Sequence, residues 1–294
     1  MSVLVFIKDL LLATLSQMAF LLAGLFVFGL LIQFISQLTF RSMERSFGKG
    51  VYLLAWLGTP IHELGHAFFC VIFGHRISDI SLFRPDPVTG TLGYVYHKWN
   101  PRNPWHVLGN FFIGVGPMVL GSAVLFGLFY FLVPGSDRVW DSIYLGLNNM
   151  DQSYLNYDMF KNVFDIFWES ALSIVKLLFT PANLSFWQFW LFLYLSVCVA
   201  SNIRLSWEDF KGSLRGLGCL VLVFLLLNLV LLLVGFSSGE FFSGAGASLL
   251  GVLYSLLILA LVMVLIGFVV IYLLAAVWYW LRYRLILNPF ALLK

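Results

Sequence analysis

From Leu10 to Leu38 the chain runs without a single Asp, Glu, Lys or Arg. A helix needs about 20 such residues to cross the hydrocarbon core of a bilayer. Further apolar segments follow at about 51–73, 105–134, 186–202, 217–236 and 247–281, the fourth being the shortest. The pattern predicts an all-α polytopic membrane protein with about six transmembrane helices. Composition agrees, since 61% of the 294 residues are hydrophobic and 11% charged, against about 25% charged in a soluble domain. One polytopic unit over 1–294 is expected, with no internal repeat. The first run has no basic region before it and is too long for a signal-peptide core, so it reads as a retained anchor.

The net charge of +3 comes without any dense basic run, so no nucleic-acid partner is expected. In such a chain Lys and Arg report topology. Arg76, Arg84, Lys98 and Arg102, then Arg204, Lys211 and Arg215, then Arg282, Arg284 and Lys294 are expected on the cytoplasmic side, and the acidic connection 135–185 outside. Both termini are then cytoplasmic, in the plasma membrane of a prokaryote. Arg41, Arg45 and Lys49 fall outside in this scheme. The stretch WYWLRYR (Trp278 to Arg284) looks like an aromatic belt with basic anchors.

Two connections carry their own patterns. Residues 77–99 place β-branched and aromatic residues on both sides of a Pro-Asp-Pro…Gly turn, which predicts a small membrane-associated β-hairpin. Residues 158–178 have polar positions at helical spacing with an apolar opposite face. They predict an amphipathic helix, lying on the outer surface or packed against the bundle.

The chemistry lies in GTPIHELGHAFF, Gly58 to Phe69. His62 and His66 are four residues apart, so a helix places both on one face. Two imidazoles there can bind one metal ion, and Glu63 beside them can take a proton from a bound water. This is the H-E-x-x-H pattern. A carboxylate in mid-membrane costs roughly 2.5–3.5 kcal/mol on insertion scales, so Glu63 needs a reason to be there. A structural polar cluster holding helices together is the competing reason. A catalytic zinc usually has a third protein ligand. The stretch SNIRLSWEDFKGSLRG (Ser201 to Gly216) offers Glu208 and Asp209 in a polar break after an apolar helix, with a new helix after Gly212. Broken backbone at membrane depth is tolerated where it lines a polar cavity.

Three elements together resemble the site-2 protease family of intramembrane zinc metalloproteases: HELGHA (His62 to Ala67), GVGPM (Gly114 to Met118) and NIRLSWEDFKG (Asn202 to Gly212). The core motifs cover about 51–216. The resemblance implies one Zn²⁺ per chain held by His62, His66 and Asp209, with Glu63 as general base. It also implies that Asn202 is a polar partner of the substrate or of a developing oxyanion. The implied partners are a membrane-protein substrate with a transmembrane helix, the lipid bilayer, and a regulatory membrane partner. The chain would be a minimal member without PDZ or CBS domains. It departs from the family in having no proline in the break, in Phe210 and Lys211 before Gly212, and in a slightly shorter Asn-to-Asp interval. Glu208 therefore stays open as the third ligand.

Other readings compete. A non-proteolytic membrane metal-binding or scaffold protein would have no need of Glu63. A prenyl-protein-type membrane zinc peptidase would want a Glu third ligand, such as Glu208. A di-iron desaturase would need more than five histidines. Cys70, Cys198 and Cys219 read as buried, inert thiols. His75, His97 and His106 read as interfacial or loop residues, and Asn228 as interhelical glue.

Overall fold

A computed structural model of the chain describes residues 3–86, 89–139, 141, 157–235, 247–288 and 290. The helices are α1 (Val3–Phe47), α2 (Tyr52–Ile72), α3 (Pro104–Leu132), α4 (Tyr157–Leu178), α5 (Pro181–Ser185), α6 (Trp187–Ala200), α7 (Trp207–Val234) and α8 (Ala247–Tyr283). One antiparallel strand pair, β1 (Arg76–Ser81) and β2 (Tyr94–Lys98), joins α2 to α3.

Among the described residues, four runs are long and apolar enough to cross a membrane: Leu4–Ile72, Pro104–Leu132, Trp207–Val234 and Val252–Tyr283. The first holds both α1 and α2, joined by a 3-10 turn at Gly48–Val51. The fourth expected segment folds as α6, which has only 14 residues and is about 21 Å long. The chain therefore has the build of a helical membrane protein, and length alone does not deliver the expected count of six.

The hairpin expected at 77–99 is present, with Arg76 opposite Lys98 and Ser81 opposite Tyr94, and an irregularity between Ile77 and Asp79. The amphipathic segment forms α4. Ile174 and Leu178 are fully buried in the main core while Trp168 stays exposed, so the described part of α4 packs against the bundle. Of the acidic connection, residues 142–156 lie outside the described residues.

The polar break is shorter than expected. Helix α7 begins at Trp207, because Ser206 and Asp209 form a capping box. The Asp209 N–H donates to Ser206 Oγ (3.1 Å), and the Ser206 N–H donates to Asp209 Oδ2 (3.0 Å). Irregular backbone is confined to 201–206, and Gly212 lies inside the helix.

Helices α1 and α8 run side by side in one direction. Tyr254, near the start of α8, donates to the Phe20 carbonyl in the first half of α1. Ser46 donates to the Ala275 carbonyl, and Arg45 lies 5.7 Å over the Tyr279 ring, near their ends. The C-terminal ends of α1 and α8 thus lie side by side. Arg45 shares an end with Arg282 and Arg284.

Missing side chains set the helix packing at the centre. A Cβ on Gly65 would lie 2.7 Å from Pro117 Cα, and one on Gly116 would lie 2.5 Å from the Gly65 carbonyl. A Cβ on Gly114 would lie 2.5 Å from the Asp209 carbonyl and would also strike Ser213. Backbone therefore meets backbone between α2 and α3 and between α3 and α7. The GVGPM element is where α3 lets both neighbours in. Farther along, Asn228 is fully buried and bonds Gln17 (2.7 Å) and Thr14 (3.0 Å) on α1.

Candidate metal centre

Helix α2 carries His62, Glu63 and His66 to this crossing. The His62 Nδ1–H donates to the Asn202 carbonyl (2.8 Å), and the His66 Nδ1–H donates to the Ile113 carbonyl (2.8 Å). A carbonyl oxygen can only accept, so each ring proton sits on Nδ1 and a neutral ring leaves Nε2 bare. The two Nε2 atoms are 3.2 Å apart. Asp209 Oδ1 lies 3.2 Å from His66 Nε2, and Oδ2 lies 3.7 Å from His62 Nε2. Three electron-pair donors thus converge on one point.

That point calls for positive charge. A proton on one imidazole would supply it, but 3.2 Å is long beside the roughly 2.7–2.9 Å of a charge-assisted N–H···O bond. A metal ion suits the spacing better, since two nitrogens about 2.05 Å from one tetrahedral zinc lie about 3.3 Å apart. Two imidazoles and a carboxylate make a zinc-type donor set. The residues present fit the ion.

Both orienting carbonyls are spare for identifiable reasons. Within α3, the Ile113 carbonyl would be bonded by the N–H four residues on, but that residue is Pro117, which has none. Asn202 follows the end of α6, where carbonyls have no intrahelical partner. Hydrogen bonds of this kind fix the tautomer and orientation of a metal-binding histidine. The sequence reading missed this role of Ile113, although Pro117 was its visible signal.

Glu63 is 7% exposed, and its carboxylate has no hydrogen-bond partner among the described residues. It faces a cavity of about 550 Å³ that His62, His66, Asp209 and Arg204 also line. The hairpin covers this cavity closely: a Cβ on Gly93 would lie 2.9 Å from Glu63 Cγ. Glu208 lines the same cavity without joining the histidines. It is 81% exposed, and Lys211 donates to its carboxylate at 3.0 Å. Of the two candidate carboxylates, only Asp209 joins the histidines.

Comparison with protein-family models, curated proteins and solved structures returns no match.

Asn202 lies at the site with its side chain already engaged. Its amide donates to the carbonyls of Cys198 (2.9 Å) and Leu54 (3.3 Å), and its Oδ1 accepts from Thr59 (3.3 Å). Both amide hydrogens tie α2 to α6. What Asn202 offers the centre is its backbone carbonyl. His97, on the hairpin, lines the same cavity. Burial, then the neighbouring His75, lower its imidazole to about 4, so it is uncharged at neutral pH.

Proposed function

We propose that the chain is an intramembrane zinc metalloprotease of the site-2 protease kind. It would hydrolyse a peptide bond in or near a transmembrane segment of another membrane protein. The observation that carries this reading is the convergence of His62 Nε2, His66 Nε2 and Asp209 on one point, with the buried Glu63 beside it. His62, His66 and Asp209 would hold one Zn²⁺, which when bound polarises the scissile carbonyl and lowers the pKa of its water. Glu63 takes the proton of that water and returns it to the leaving amine. The Asn202 and Ile113 carbonyls hold the imidazoles in place. The hairpin stands over the cavity that Glu63 lines, the space in which the attacking water would be held. In this reading α1 and α2 cross the membrane separately and α6 completes six crossings.

The engagement of Glu208 with Lys211 counts against the prenyl-protein type of peptidase, which would want a Glu third ligand. A metal-binding scaffold would leave the buried Glu63 without a purpose.

The test is cleavage of a panel of transmembrane-helix substrates by the detergent-purified chain, with zinc measured in the same samples. The expected result is zinc-dependent cleavage that Glu63→Gln abolishes while zinc stays bound. Cleavage that persists in Glu63→Gln would sink the mechanism.

A further inference from the structure

One turn beyond His66 on the same face of α2 is Cys70, about 6 Å along the axis. It is fully buried. The helix then ends and turns back on itself. Gly74 adopts φ +70, and the His75 N–H donates to the Cys70 carbonyl at 2.8 Å. The turn brings the His75 ring back over the end of the helix. On β2, His97 pairs with Ile77 and meets the same spot.

The protons can be placed here as before. The His75 Nε2–H donates to the His106 carbonyl at 2.8 Å, so His75 Nδ1 is bare. It faces His97 Nδ1 at 3.0 Å. Cys70 Sγ and one ring nitrogen of each of His75 and His97 all lie within 4.8 Å of one another. His75 is held in plane by Trp99, stacked at 6.3 Å and 12°. His106 stands aside, its Nδ1 accepting from the Asn100 N–H at 3.1 Å.

We propose that Cys70, His75 and His97 form a second transition-metal site, of the Zn²⁺ class, which pins the base of the hairpin to the end of α2. One thiolate and two neutral imidazoles are a borderline-soft set suited to Zn²⁺. Binding displaces the Cys70 thiol proton to solvent. Of the three ligands, His97 lines the cavity beside the first centre. The site shares no ligand with the first centre and does not rest on the protease reading. Its role is to hold the strand that leads to Gly93, and so the cover over Glu63.

The probe is Co²⁺ added to the metal-stripped, detergent-purified full chain. The first centre has only nitrogen and oxygen donors, so a thiolate-to-cobalt charge-transfer band in the near ultraviolet reports the second alone. The expected result is such a band in the unaltered chain, and two metal ions per chain by elemental analysis. Cys70→Ser removes the band and one ion, and His97→Gln, on the half-exposed strand, weakens both. Cys198→Ser and Cys219→Ser leave both intact, because those thiols point at the Leu53 and Pro104 carbonyls. No band in the unaltered chain, or one that survives Cys70→Ser, overturns the proposal. The pair is then a His97 Nδ1–H donating to His75 and nothing more.

Discussion

The carbonyl oxygen of Ile113 lies 2.8 Å from Nδ1 of His66, and it is available because Pro117 has no N–H to claim it. Pro117→Ala restores a competing helical donor. Loss of such an orienting bond typically costs 10–100-fold in metal affinity. The expected outcome is a zinc affinity about 10-fold weaker in a chelator competition, with the fold retained. An affinity within twofold of the unaltered chain would show that the carbonyl does not orient His66.

Asp209 serves two ends at once. One oxygen faces His66, and the other closes the capping box of α7. Asp209→Asn keeps a side-chain oxygen for the Ser206 N–H but removes the charge. Asp209→Ala removes both. Both variants are expected to lose the metal, with Ala less stable than Asn by about 1 kcal/mol. Elemental analysis and detergent melting curves separate the two effects.

Gly114 sets the distance between α3 and α7. Gly114→Val puts side-chain atoms where the Asp209 carbonyl and Ser213 now lie. Helix α7 has to retreat and carry Asp209 away from two unaltered histidines. Zinc content should fall severalfold or more while His62 and His66 remain. Full zinc content in a folded Gly114→Val chain would mean that the helices can separate without moving the carboxylate.

Asn228 joins α7 to α1 through Gln17 and Thr14. Hydrogen bonds between membrane helices average about 0.6 kcal/mol, up to about 1.7. Asn228→Leu should destabilise by about 1–2 kcal/mol, because Gln17 is left buried and unpaired. Gln17→Leu added to it should recover part of the loss. A double-mutant cycle on unfolding in detergent measures the coupling, and additive losses would rule the bond out as glue.

Much of the molecule is written locally. Long uncharged runs dictate helices, because in lipid only internal hydrogen bonds can satisfy the backbone. The i, i+4 spacing of His62 and His66 puts both on one face by helix geometry alone. The hairpin was legible for the same reason, from alternation around a turn. The start of α7 precedes the position that the sequence pattern predicts, because Ser206 and Asp209 form a capping box. Taken as the end of the break, Gly212 is inside the helix.

Contacts between distant segments were decided only by tertiary packing. Glu208 and Asp209 are adjacent in the chain and chemically alike. Asp209 alone reaches the histidines, because α7 meets α3 at Gly114 with that face turned inward. Cys70, His75 and His97 gave no motif, since a helix end, a left-handed turn at Gly74 and a strand register had to act together to bring them within reach. Sequence periodicity specifies which face of an element is apolar. It does not specify which carbonyl or carboxylate from another element, some 140 residues away, will be waiting there.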